Sequence, residues 1–375
     1  MNNVIRGYIF GPDGEFYPGE IAIEEDRHII TAISRLDCGD LTAEERSFRI
    51  IPGLVDVHSH GCKGHDTCEA SEDELLAMVE YERSIGVTSY CPTTMTYDEA
   101  KLTEICARVK NVKKQMGETS NIKGIYLEGP FISKEKKGAQ NEKYIKPADV
   151  ETVRRLNEVS GGLVKVVAIA PETEGAINVI ESLHGEVRVS LAHTAASYDI
   201  AKEAFLKGAG MVTHLYNAMP AYNHRQPGVV GAAFDAESFG VKVMSELICD
   251  GIHVHDAVIR NTFRILGDER VIMISDSMEA AGMPDGVYSL GGQTVYKNGK
   301  KATLTDGTIA GSASTLYDCF RHALEIGVPM KTAIWAATRN PARAIGIDGE
   351  VGTIEIGKRA DLLVMNEAYE LLRVI

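Results

Sequence analysis

Six side chains able to bind a metal or move a proton sit at the ends of separate apolar runs. Leu54-Val55-Asp56-Val57 leads into His58-Ser59-His60, and Ile122-Lys123-Gly124-Ile125-Tyr126-Leu127 ends at Glu128. The run from Val187 to Ala192 ends at His193, that from Met211 to Thr213 at His214, and that from Val271 to Ser275 at Asp276. Neutral imidazole and carboxylate are common ligands of zinc, iron and similar ions. His58 and His60, two apart on a strand end, direct both rings to one side of a sheet. Each residue alone has a plainer reading. The His-x-His pair could be hydrogen-bonded loop histidines, Glu128 the end of a strand before Gly-Pro, His193 and His214 interior histidines, and Asp276 a turn cap. Their shared position at strand ends favours one metal site. A metal lowers the pKa of water from about 15.7 toward 7. A neighbouring carboxylate such as Asp276 can take that water's proton and later return it to a leaving amine. The combination suits hydrolysis of an amide.

These residues meet only if the strand ends converge, and a barrel of parallel strands brings them to one rim. The middle of the chain has the required alternation. Ser71-Glu72-Asp73-Glu74 is a capping-box pattern. It opens a helix with Leu75, Leu76, Val79 and Ile85 at helical spacing, closed by Gly86. A strand at 88–93 follows. Helical patterns recur at 98–116, 147–159, 176–184, 198–207 and 255–266, separated by strand-like runs that include 164–170 and 241–248. Such alternation predicts parallel β-α-β units, and about eight of them close into a (β/α)8 barrel of the TIM type. Glycine-rich alternation from Gly286 to Gly311 predicts a hairpin inserted after the last barrel strand, ahead of helices at 315–326 and 331–337. Short strand-like pieces between turns at both termini predict a small β-sandwich domain made of residues 1–52 and 348–375, with the barrel at 53–347.

Composition narrows the function. The 375 residues carry a net charge of −14, which argues against a nucleic-acid partner. Lys110-Asn111-Val112-Lys113-Lys114 reads as a solvated helix face. Seven cysteines without paired spacing favour a reducing compartment. Cys62 and Cys68, close to the His-x-His segment, are expected to be ordinary buried thiols. The N-terminus lacks the basic and apolar regions of a signal peptide, and no apolar run approaches the roughly 18 residues of a membrane span. A soluble cytoplasmic protein without membrane contact is the expectation.

Pro52 to Gly61, Leu127-Glu128-Gly129-Pro130-Phe131, Ala192-His193-Thr194, Thr213 to Met219 and Ser275-Asp276-Ser277-Met278 resemble the amidohydrolase superfamily. Within it they look like the deacetylases of N-acetylated amino-sugar phosphates. Asp250 to Val254, Ala281 to Gly286, Ala310-Gly311-Ser312 and Gly352 to Leu362 extend the resemblance along essentially the whole chain. It implies a principal metal site at Glu128, His193 and His214, with Asp276 as catalytic acid–base. A second metal at His58 and His60, with Glu128 bridging, follows from the presence of both histidines. One or two divalent transition ions per subunit are expected, zinc or iron, with manganese or cobalt as substitutes. The run from Val164 to Pro171 ends without the bridging lysine of the dihydroorotase and hydantoinase type.

For the substrate, the resemblance implies that Arg225 and His253 hold a sugar phosphate, assisted by backbone amides near Asn217 and Ala218. A guanidinium fork suits phosphate, and a chain this acidic needs a local cation to attract an anion. Gln140 stands where the family often has histidine and is expected to donate to the acetamide carbonyl. A homodimer is implied, with Arg225 able to reach across its interface. The implied reaction is hydrolysis of N-acetylglucosamine-6-phosphate to glucosamine-6-phosphate and acetate. The alternatives are N-acetylgalactosamine-6-phosphate deacetylation, another amidohydrolase reaction, or a barrel that serves as an interaction protein without catalysis.

Overall fold

Eight parallel strands form the central sheet of the computed structural model, which describes residues 2–375. They are Leu54–Ser59, Val87–Thr94, Ile125–Phe131, Val164–Ile169, Arg188–Leu191, Met211–Val212, Met244–Ile248 and Val271–Ile274, paired in that order. The eighth strand returns to the first. Asp276 N donates to His58 O at 3.0 Å, His60 N donates to Ser277 O at 2.7 Å, and Ser59 bridges Ser277 in parallel. The sheet is thereby a barrel. Strands buried on both faces read as nearly continuous apolar runs, which is why these segments stood out in the sequence.

A helix follows each strand: Glu72–Ser84, Glu99–Met116, Val150–Val159, Ala176–Leu183, Tyr198–Leu206, Gly228–Asp235, Asp256–Leu266 and Leu316–Glu325. The first starts as expected, with Ser71 accepting from Glu74 N and the Glu74 carboxylate accepting from Ser71 N at 2.7 Å. The helix Gly228–Asp235 was not anticipated. Gly228 to Ala233 are all buried, so it has no polar face and no 3.6-residue alternation to detect.

Both termini enter one six-stranded sheet, in the order Leu371–Val374, Leu362–Met365, Arg49–Pro52, Asn2–Phe10, Phe16–Glu24, Ile29–Arg35. Its own core holds Ile5, Ile9, Ile21, Ile30, Ile50 and Val364. The glycine-rich stretch after the eighth barrel strand forms a three-stranded antiparallel sheet, Gly286–Leu290, Gln293–Asn298 and Lys301–Thr303. Its first turn reaches the barrel mouth, where Gln293 Nε2 donates to Ala139 O at 2.5 Å.

Candidate metal centre

Glu128 is buried at the end of the third barrel strand and is the hub of the cluster. Its Oε1 lies 3.1 Å from His193 Nε2 and 3.0 Å from His214 Nε2, and these two nitrogens are 3.2 Å apart. Its Oε2 lies 3.2 Å from His60 Nε2. His58 Nε2 is 3.4 Å from His60 Nε2 and 3.5 Å from Glu128 Oε1. Donor atoms therefore fall into two overlapping triads, His58, His60 and Glu128, and Glu128, His193 and His214, each within 4.8 Å.

The hydrogen bonds behind the ring nitrogens show that these triads fit a cation. His193 Nδ1 donates to Lys136 O at 2.9 Å, and His58 Nδ1 donates to the Glu246 carboxylate at 3.0 Å. In the neutral ring each bond fixes the proton on Nδ1 and leaves a lone pair on Nε2. A lone pair aimed at a carboxylate oxygen about 3 Å away is repulsive unless positive charge lies between them. The electrostatics of the cluster run in the same direction. Burial alone would depress His60 and His214, but hydrogen bonds to Asp276 and Glu128 raise His60 to about 10, and a hydrogen bond to Glu128 raises His214 to about 9. Burial would raise Glu128, yet the charges and hydrogen bonds of His193, His214 and His60 hold it well below the usual carboxylate range. A divalent ion satisfies what protons otherwise must.

Asp276 faces the cluster with Oδ1 3.4 Å from His60 Nε2 and 3.5 Å from His58 Nε2. Its burial is outweighed by the His60 hydrogen bond and the neighbouring imidazoles, so its pKa falls below the ordinary value. It stands ionised at neutral pH, the form that accepts a proton. The backbone at the rim is strained: φ is +42° at His193, +29° at His214, +48° at Asp276, +80° at Tyr216 and +52° at Ala218. Such angles cost roughly 1–3 kcal/mol each and cluster where a fold must aim side chains.

A cavity of about 410 Å³ opens above the cluster and is lined by Gln140, Asn217, Ala218 and His253 together with His60, Glu128, His193, His214 and Asp276. Leu290 of the inserted sheet, with Thr308 and Ile309 from the segment after it, closes one side. His253 donates to Asp250 Oδ2 at 2.8 Å. Gln140 is already engaged: it donates to Glu128 Oε2 at 2.5 Å and accepts from Thr96 N at 2.7 Å. Arg225 is not brought into this cavity. It lies exposed in a larger groove of about 1010 Å³ with His224 and Tyr198, a groove that carries none of the metal-ligating set. Cys62 and Cys68 are buried, and burial pushes the Cys68 thiol well above its ordinary range, consistent with inert thiols.

Sequence reasoning missed three contributors. Glu246 is completely buried in the seventh strand and touches His58. Glu172 accepts from Thr194 Oγ1 at 2.5 Å and Ala195 N at 2.6 Å, fixing the turn after His193. Lys136 supplies the carbonyl behind His193. A signal existed for Glu246, since an acid inside Met244-Ser245-Glu246-Leu247-Ile248 must find a buried partner.

Known proteins similar to this chain identify its family. An N-acetylglucosamine-6-phosphate deacetylase of Bacillus subtilis (strain 168) is 37% identical over 331 residues, 87% of this chain and 83% of that protein. An N-acetylgalactosamine-6-phosphate deacetylase of Escherichia coli O157:H7 is 34% identical, over 89% of this chain and 88% of its own length. The structure of a mutant N-acetyl-D-glucosamine-6-phosphate deacetylase from Mycobacterium smegmatis, in complex with N-acetyl-D-glucosamine-6-phosphate, superposes with a TM-score of 0.91. It is 30% identical and covers 100% of this chain and 98% of that one. Residues 49–374 match the amidohydrolase family profile, and with the barrel, the histidine–glutamate cluster and these relatives the chain belongs to the amidohydrolase family.

Proposed function

We propose that the chain is a metal-dependent hydrolase that cleaves the acetamide of N-acetylglucosamine-6-phosphate, giving glucosamine-6-phosphate and acetate. The observation that carries this reading is Glu128 Oε1 shared by His193 and His214 at 3.1 and 3.0 Å, with Asp276 facing the same space. Relatives acting on both amino-sugar phosphates agree on the reaction class. The donor set of imidazole and carboxylate suits zinc or iron, with manganese and cobalt as substitutes, one or two ions per subunit.

A divalent ion in this cluster supplies Lewis acidity, which polarises the acetamide carbonyl and makes a nearby water acidic. Glu128, His193 and His214 would hold it, with His58 and His60 available for a second. The chain's own part in the chemistry belongs to Asp276. Its carboxylate takes the proton of the attacking water at Oδ1, then delivers it to the amide nitrogen as the C–N bond breaks. The water oxygen ends in acetate and the proton on the free amine. Gln140 holds Glu128 in register and is placed beside the acetamide. His253, with Asn217 and Ala218, lines the side of the cavity proposed for the sugar phosphate.

Arg225 requires a second subunit in this scheme, since within one chain it lies outside the cavity. We therefore assign the working form as a homodimer with Arg225 donated across it. Seven free cysteines, six of them buried, support a cytoplasmic setting. No helix among the described residues is long and apolar enough to cross a membrane. The test is a product assay on paired glucosamine and galactosamine substrates. Acetate with the gluco epimer preferred supports the reading; preference for the galacto epimer reassigns the substrate, and ammonia release refutes deacetylation.

A further inference from the structure

We infer that Glu246 is a positioning residue that braces both halves of the metal cluster from below. This rests on the proposed metal reading and deepens it. Glu246 sits in the seventh barrel strand with no exposed surface, and its Oε2 accepts two hydrogen bonds: from His58 Nδ1 at 3.0 Å and from His214 N at 3.3 Å. Its backbone oxygen also accepts from Leu215 N at 2.8 Å. One residue thus clamps the end of the sixth strand on either side of the strained His214 and sets the ring of His58.

The two contacts have distinct consequences. A carboxylate is only an acceptor, so the His58 proton facing it must be on Nδ1, and Nε2 is left to face Glu128 and Asp276. Without Glu246 the ring is free to move its proton to Nε2, which cannot then bind a cation. At His214 the bond to the backbone N–H holds a φ of +29° that no side chain prefers. Carboxylates placed behind metal-binding histidines commonly change metal affinity about 10- to 100-fold. Glu246 differs from the six rim residues in standing mid-strand, in the barrel interior, so its effect passes entirely through His58 and His214.

Two substitutions separate shape from charge. Glu246→Gln can keep one oxygen where Oε2 now lies, so both bonds can persist without the negative charge. Glu246→Leu removes both. Metal-stripped wild-type protein and each variant are titrated with zinc against a chromophoric chelator, and circular dichroism checks folding. Affinity should fall in the order wild type, Gln, Leu, with the Leu variant about 10- to 100-fold weaker. A folded Leu variant that binds zinc as tightly as wild type would overturn the role. In parallel, ¹⁵N-histidine NMR of the wild type should show a hydrogen-bonded Nδ1 proton on His58, identified by its disappearance in His58→Asn. That signal should shift or vanish in Glu246→Leu; an unchanged signal overturns the assignment even if zinc does not bind. Zinc failing to bind the wild type while the NMR signal behaves as stated would count against the metal reading and not against the bond from Glu246 to His58.

Discussion

In the proposed reaction, Asp276 is the residue on which turnover depends most. Asp276→Asn keeps the side chain's shape and leaves the Glu128, His193 and His214 triad intact, but removes the proton acceptor. Cation content should stay at the wild-type level while the rate falls by roughly 10²–10⁴-fold, as loss of general acid–base catalysis does. Elemental analysis and acetate release on the same sample check both halves, and near-normal turnover would remove Asp276 from the reaction. The rim residues were legible because each ends an apolar run, a pattern visible in one dimension. Glu246 was not, because its meaning depends on His58, 188 positions away across the barrel. Gln140 was noticed for its type, but its clamp on Glu128 and Thr96 N depends on a loop path that local spacing does not encode.

The elements do their work by bringing strand ends close, and Gly129 shows how tightly. It follows Glu128 at φ +94°, and a Cβ there would stand 2.1 Å from Thr96 Oγ1. Gly129→Ala should therefore displace the end of the third strand and cost about 1–3 kcal/mol of stability, with lower cation affinity. Thermal unfolding and a zinc titration would detect both; a variant indistinguishable from wild type would mean the loop gives way freely. The helix Glu72–Ser84 makes a different demand. Its Glu82 is buried, and burial followed by the charge of Asp56 raises the carboxyl from 4.5 to about 8. The folded chain then binds a proton that the unfolded chain releases, so stability falls as pH rises between those values. Glu82→Gln should lose stability less steeply over that window in denaturant titrations, and parallel slopes would contradict the buried-acid account. Helices with a polar face were readable from periodicity, as the capping box at Ser71 illustrates. Gly228–Asp235 was not, for lack of a polar face, whereas even the two-residue strand Met211–Val212 showed as the apolar run before His214.

At the scale of the whole molecule, the barrel and the insert after its eighth strand together shape one mouth above the cluster. The turn of the insert touches Ala139, beside Gln140, so a feature far along the sequence helps close the site. The pairing of the two termini in one sheet was suggested by matching strand-like style at both ends, but register and strand order come only from long-range pairing. Arg225 is the piece that one chain leaves outside. If the dimer supplies it, Arg225→Ala should raise KM for the phosphorylated substrate roughly tenfold or more, the scale of a lost charged hydrogen bond, and leave unphosphorylated sugars nearly unchanged. Equal effects on both would move the phosphate contact elsewhere. The most direct test of the whole account is to strip the protein of metal and follow acetate release from N-acetylglucosamine-6-phosphate as zinc or iron is returned. Hydrolysis should be absent from the stripped protein and climb to a plateau at one or two ions per chain. Acetate released at full rate by metal-free protein, or no recovery with any divalent transition ion, would contradict it.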